Sequence, residues 1–228
     1  MKVLKIGGSV ITDKSLGSFE VLKKEKISEI CEVIAEKYDN LVVVHGVGSF
    51  GHPHVKIYGL KDQVSISKIH LACLKLNQLI CEELLKRGVP ALPIHPIEGI
   101  NFDFIKKSVN NGFVPVLHGD VTVDSRIISG DDIAVELAEK LNSKFLGFAT
   151  DVDGIILNGK VIKKFCPEML EALWIVEKKI DVTGGMRKKV EKILSLKTDC
   201  RVFIFKGDAG SLRKFLNFEP VGTEICRQ

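Results

Sequence analysis

The chain has 228 residues, 45% hydrophobic and 27% charged, which fits one large domain or two closely joined lobes around a sizeable core. Its formal charge of +4, from 33 basic and 29 acidic residues, is too small and too dispersed to argue for nucleic acid, and no apolar run approaches the roughly 18 residues of a membrane span. Lys5, Asp13 and Lys14 interrupt any signal-peptide core, and Cys31, Cys73, Cys81, Cys166, Cys200 and Cys226 form neither a C-x-x-C pair nor a zinc spacing, so reduced thiols in a cytoplasmic protein are expected.

"MKVLKI" alternates apolar residues and stops at Gly7-Gly8, which predicts a first strand. Residues 20–38 carry Val21, Leu22, Ile27, Ile30, Cys31 and Ile34 at helical spacing. "NLVVVHG" reads as a strand covered on both faces, as in a parallel sheet. A long helix is predicted from Val64 to a stop at Gly88 and Pro90, then a strand in "VPALPI", a helix over 101–111 and bent extended chain through "GFVPVLHGDVTVD". The second half repeats this logic: a helix in "GDDIAVELAEKL", a strand over 143–155 ("SKFLGFATDVDGI"), a helix over 167–179 and a loop at "DVTGG". The helix "GMRKKVEKILSL", the strand "CRVFIFKGD", a short helix and a last strand complete it. Such alternation predicts an α/β fold on a largely parallel sheet, with a soft boundary between residues 1–130 and 131–228.

Four glycine-rich loops fall at strand ends or helix starts: Gly7-Gly8-Ser9, "HGVGSFGH" (45–52), "SGDD" (129–132) and "TGGM" (183–186). Glycine lets backbone N–H groups approach phosphate oxygens, and strand ends are where ligands sit in open α/β sheets. "KIGGSVITDKS" looks like a Walker A loop, but Asp13, not glycine, precedes Lys14. "GVGSFG" (46–51) matches the dinucleotide fingerprint letter for letter, yet it follows the second strand and lacks the acidic strand end about 20 residues on. Lys5, ending the first strand, and Lys189, one turn into the helix after "TGGM", are suited to neutralising phosphates, and Asp131, Asp132 and Asp151 to holding lysines or a hydrated metal.

Taken together, "KIGGSVITDK", "HGVGSFGHP", "PVLHGDV", "ISGDD", "ATDVDGI" and "DVTGGM" with a following lysine resemble the amino-acid kinase family over essentially the whole chain, and within it the isopentenyl phosphate kinases. The resemblance implies an αβα sandwich around an open, mainly parallel sheet, and a homodimer. It implies a second half that binds ATP with Mg²⁺ and a first half that binds isopentenyl phosphate, the product being isopentenyl diphosphate. By position it assigns catalytic roles to Lys5, Lys14, His52, Asp131 and Lys189. Nucleotide contacts fall to Lys5, Gly7, Gly8, Ser9, Gly48, Asp151, Gly185, Met186, Lys189 and Gly207. Acceptor contacts fall to Gly46, Val47, Gly48, His52 and Gly130; the apolar stripe of the long helix, with Cys73 and Leu76 on it, reads either as core or as a lining for the prenyl slot. His54, His70, His95 and His118 read as structural, with His118, beside Gly119-Asp120, also a candidate to border the cleft. The chain departs from the family at Val47, where relatives have glycine; a β-branched residue there requires an ordinary backbone conformation.

The implied chemistry suits the residues. A phosphate monoester, with a second pKa of about 6, is already largely dianionic and needs no general base. What must be overcome is charge repulsion, about 4 kcal/mol per pair of unit charges at 4 Å and a dielectric of 20. Lysines, Mg²⁺, a histidine N–H and helix N-termini oppose it. Fosfomycin kinase is the main rival. An acetylglutamate or glutamate kinase lacks an α-carboxylate clamp here, a uridylate kinase lacks base-reading residues, and a non-enzymatic binding or storage protein need not keep Lys5, Asp131 and Lys189 together.

Overall fold

The structure, a computed structural model, describes residues 1–13, 15, 17–173 and 185–227. Lys14, the 174–179 part of the predicted helix and residues 181–184 of the "DVTGG" loop lie outside the described residues. One sheet of eight strands organises the chain, in the order β10 (Lys164–Phe165), β12 (Thr223–Ile225), β11 (Arg201–Lys206), β7 (Phe145–Thr150), β1 (Lys2–Ile6), β2 (Leu41–His45), β4 (Val114–His118), β3 (Ala91–Pro93). All neighbours pair parallel except β11 with β12. β1 lies between β2 from the first half and β7 from the second, so the chain builds outward from it in both directions. That is the topological switch at which a ligand crevice forms in such sheets.

The period of two along the strands separates two cores. Leu4 and Ile6 of β1 and Leu41 and Val43 of β2 pack against α2 (Lys24–Glu36), α4 (Gln63–Leu85) and α8 (Ala209–Leu216). Val3, Val42 and Val44 point the other way, against α5 (Phe102–Asn110), α6 (Gly130–Lys140) and α7 (Gly185–Leu194). The result is the αβα sandwich. Helix starts are fixed locally: Asp62 caps α4 by accepting from Ser65 N–H at 2.9 Å, and Ser129 caps α6 by accepting from Asp132 N–H at 3.1 Å.

The helix predicted over 20–38 begins only at Lys24, because Leu22 bridges Thr12 and the Val21 carbonyl accepts from Asp13 N–H, drawing these residues into extended chain. The strand predicted over 143–155 ends at Thr150, whose hydroxyl donates to the Val152 carbonyl at 2.9 Å and turns the chain. Two small hairpins, β5 (Asp120–Val121) with β6 (Ile127–Ile128) and β8 (Ile156–Leu157) with β9 (Lys160–Val161), stand off the main sheet. A short helix, α3 (His52–Tyr58), follows the 46–51 loop.

Candidate active site

Alternation along β1 places the first functional side chain. Lys5 points to the same face as Val3, toward α6, and is only 7% exposed. Its Nζ lies 2.6 Å from Asp131 Oδ1, while Lys189 Nζ, from the second turn of α7, lies 2.6 Å from Asp131 Oδ2. One carboxylate in the first turn of α6 therefore joins two ammonium groups from elements far apart in sequence. Burial alone would raise the Asp131 carboxyl, but the Lys5 and Lys189 charges outweigh it and hold it well below the usual carboxylate range. Burial, with the Lys5 charge beside it, brings the Lys189 ammonium down to about 8, against Asp131, which supports it. Lys189 Nζ also lies 4.9 Å from the centre of the Phe148 ring. The three side chains carry a net charge of +1 in a buried place, ready for an anion.

The glycine loops meet beside them. A Cβ on Gly8 would fall 2.6 Å from Gly48 N, and one on Gly46 would fall 2.7 Å from Gly8 N, so the loops after β1 and β2 touch backbone to backbone. Gly48 has φ +47°, and a Cβ there would strike the Thr12 hydroxyl. Thr12 clips the two loops together: its hydroxyl donates to Gly8 O at 2.7 Å and accepts from Ser49 N–H at 3.1 Å. Gly7 N–H donates to Ala149 O and Gly207 N–H to Thr150 O, each at 2.8 Å, which draws the ends of β1, β7 and β11 into the same crevice. Gly130 opens α6 against the His45 carbonyl and the Lys5 side chain.

Other expected residues take the following places. Ser9 lies in the short helix α1 (Gly8–Ile11), its carbonyl accepting from Lys23 Nζ at 2.7 Å. His52 is the exposed first residue of α3, at the end of the 46–51 loop. Val47 adopts φ −93° and ψ −15°, the ordinary conformation its branching requires. Its side chain fills the space a Cβ on Gly51 would need. Asp151 is exposed just beyond β7, Gly185 begins α7, and Met186 packs on the second core. Cys73 joins Ile66, Ile69 and Val121 in a separate small cluster with Val47 and Val55 at its edge. Leu76 lies instead in the main core with Ile80 and Phe50. Among the described residues no group of three or more His, Cys, Asp or Glu could hold a metal ion. A groove of about 660 Å³ between α2 and α4 carries Glu25, Glu29, Glu32, Glu82 and Glu83, the wrong charge for phosphate, on the opposite face from Lys5.

Sequence reasoning missed Thr12, His45, Asn77 and Asp120. Thr12 stood within the quoted first loop, but its role depends on Ser49, brought close only by the fold. Asp120, with its side chain fully buried, accepts from His70 Nδ1 at 2.7 Å and from Val121 N–H at 2.9 Å, tying the β5 hairpin to α4.

The sequence profile of the amino acid kinase family matches residues 1–206. The chain belongs to the amino acid kinase family. It is 34% identical to the isopentenyl phosphate kinase of Methanocaldococcus jannaschii, with 99% of this chain and 98% of that protein covered. It is 35% identical to that of Haloferax volcanii, with 98% and 97% covered. The crystal structure of the T. acidophilum isopentenyl phosphate kinase product complex superposes with a TM-score of 0.81 at 27% identity, covering 99% of this chain and all of that one. This member of the family thus shares its fold and its full length with those kinases.

Proposed function

We infer that the chain transfers the γ-phosphoryl group of ATP to isopentenyl phosphate, giving isopentenyl diphosphate for isoprenoid synthesis by the mevalonate route of archaeal type. The observation that carries this reading is the pair of buried lysines on one carboxylate beside interlocked glycine loops. Full-length similarity to isopentenyl phosphate kinases supports the choice of acceptor. Residues 131–228 hold the nucleotide through Asp151, Gly185, Met186, Lys189 and Gly207. Residues 1–130 hold the acceptor phosphate on the 46–48 loop, at His52, and against Gly130 at the border between them.

Lys5 faces the phosphoryl group in flight, a role the family resemblance assigns to Lys14 as well, and Lys189 faces the nucleotide phosphates. Asp131 keeps Lys5 and Lys189 aimed when no anion is present. The attacking oxygen already bears its negative charge, so no side chain removes a proton. Asp151, exposed just beyond β7, is the residue that would reach the hydration shell of a bound Mg²⁺. When bound, the ion supplies further neutralisation of the β- and γ-phosphates.

Incubation with ATP and Mg²⁺ against isopentenyl phosphate, fosfomycin, acetylglutamate and uridylate, followed by ADP release, tests the reading. Fast turnover is expected with isopentenyl phosphate, and faster turnover with any other acceptor would overturn it. The prenyl tail is assigned to the cluster around Cys73 and Ile69. Cys73→Phe should raise the KM for isopentenyl phosphate about tenfold and leave that for ATP unchanged; an unchanged acceptor KM removes Cys73 from the slot.

Lys189 gives a pH dependence with a definite sign. Its folded pKa, about 8, lies below the ordinary 10.5, so in the folded protein without ligand it sheds its charge as pH rises through about 8. kcat/KM for ATP should therefore fall above that pH. In the same window the unfolded chain holds more protons, so this group's contribution to stability rises with pH between about 8 and 10.5. Lys189→Arg, whose guanidinium stays charged, should remove the alkaline fall; a pH–rate profile with the same break in both proteins would count against Lys189.

The exposed side of α4 presents Val64, Leu71 and Leu85 among the exposed polar residues Lys68, Lys75, Gln78 and Glu82, apolar anchor points for a second copy of the chain. A homodimer is proposed on this basis. Sedimentation should give twice the 25.2 kDa chain mass, and a monomer would exclude it. No helix among the described residues is long and apolar enough to cross a membrane. A cytoplasmic site, where the six free thiols stay reduced, completes the reading.

A further inference from the structure

We propose that His45 is a positioning residue for the acceptor: its buried ring holds the Gly46 carbonyl so that the next N–H, that of Val47, faces the acceptor phosphate. The proposal rests on the assignment of the 46–48 loop to that phosphate.

His45 is the last residue of β2 and has no exposed surface. Its ring Nδ1 lies 3.2 Å from Gly46 O, and its Nε2 lies 3.1 Å from Asn77 Nδ2 on α4. The tautomer follows from Asn77. The same Nδ2 donates to Val116 O at 3.1 Å, and only an NH₂ group can face a backbone carbonyl in that way. Asn77 Oδ1 correspondingly accepts from the Cys81 thiol at 3.7 Å. The second proton on Nδ2 therefore goes to His45 Nε2, which must accept, and the ring's own proton sits on Nδ1, where Gly46 O accepts it. Burial pushes the His45 imidazole down to about 4, so the ring stays neutral in this tautomer at working pH.

The consequence for the loop is geometric. Gly46 N–H donates to Ile6 O and His45 O accepts from Gly119 N–H, each at 2.9 Å, so the 45–46 peptide is still part of the sheet. The 46–47 peptide is the first to leave it. In a planar trans peptide the carbonyl and the following N–H point in opposite directions, and the described chain has no cis bond. With Gly46 O turned inward to a buried ring, Val47 N–H points outward, and no described residue accepts from it. A glycine peptide lacking that hold can flip, presenting its carbonyl oxygen to an anion instead of a donor.

Two amide substitutions separate this role from packing. His45→Asn places its side-chain NH₂ near the imidazole Nδ1 position and keeps the donor to Gly46 O, whereas His45→Gln reaches the Nε2 position, where its Oε1 accepts from Asn77 Nδ2, and loses the donor to Gly46 O. The acceptor KM should rise about tenfold in H45Q and stay within about twofold of the parent in H45N, with the ATP KM unchanged in both. Equal acceptor KM values in the two variants, or a rise for ATP as large as for the acceptor, would overturn the proposal. A ¹H–¹⁵N spectrum of the histidine rings needs no variant kinetics: protonated Nδ1 on His45 is expected, and protonated Nε2 overturns it even if both variants fail to fold. A parent enzyme that turns over fosfomycin or uridylate but not isopentenyl phosphate changes the acceptor and leaves the KM contrast to be read on that one; a parent with no acceptor at all removes the role.

Discussion

Asp131→Asn is expected to lower kcat/KM for both substrates by about 100-fold, the scale of losing one well-placed charge contact in a phosphoryl-transfer site. The two ammonium groups on its oxygens, each at 2.6 Å, would then face each other with no negative charge between them. Lys5 and Lys189 would separate or one would lose its proton, and either outcome removes a cation from the place where charge develops. Breaking a buried pair by deleting one partner costs about 3–5 kcal/mol, and the low end applies here because the Asp131 side chain keeps 21% of its exposure. Thermal melting should therefore show a loss of about 3 kcal/mol. The acid limb changes as well. A carboxyl held below its ordinary 3.8 stabilises the fold above that pH and loses the contribution as pH falls toward the folded value, so the D131N protein should lack this part of the parent's acid sensitivity. A variant with parental kcat/KM would show that the lysines need no common carboxylate.

His52→Ala is expected to divide the two substrates. His52 starts α3 directly after the loop whose glycines touch Gly8, the loop assigned above to the acceptor phosphate. A ring N–H given to a dianionic phosphate is a charge-assisted contact, and its removal should cost about 100-fold in kcat/KM for isopentenyl phosphate. The Kd for ATP, measured by calorimetry, should stay within about twofold, since the nucleotide is assigned above to the second half of the chain. Equal losses for acceptor and nucleotide would place His52 between the two phosphates.

The strands that build the crevice were legible because a parallel sheet covered on both faces demands unbroken runs such as "LVVVH" and "VFIF", and these contain little else. The two-residue ladders at 120–128 and 156–161 were not, since a segment of that length has no period to read. The start of α2 was misplaced for a related reason: Val21 and Leu22 fit a helical pattern, but their hydrogen bonds go to Asp13 and Thr12 across the chain. At the site, Lys5 could be placed at a strand end from sequence. That it shares a carboxylate with Lys189 could not be deduced from composition or period, because Asp131 and Lys189 are 58 residues apart; only the family resemblance brought them together. The histidine under Gly46 escaped both approaches, since its partners on α4 and β4 are set by packing alone.

The place of β1 has a mechanical consequence. It is joined residue by residue to β2 on one side and to β7 on the other, five pairs on each flank, so no seam divides the first half of the chain, to which the acceptor is assigned above, from the second half, to which the nucleotide is assigned. Swinging one away from the other would tear a ladder from the middle of the molecule. On the proposed assignment, the span between donor and acceptor is then set when the chain folds, and entry and exit fall to the loops above the strand ends. On that assignment the enzyme would work as a rigid jig, selecting partners by whether their reactive ends already reach across a set gap.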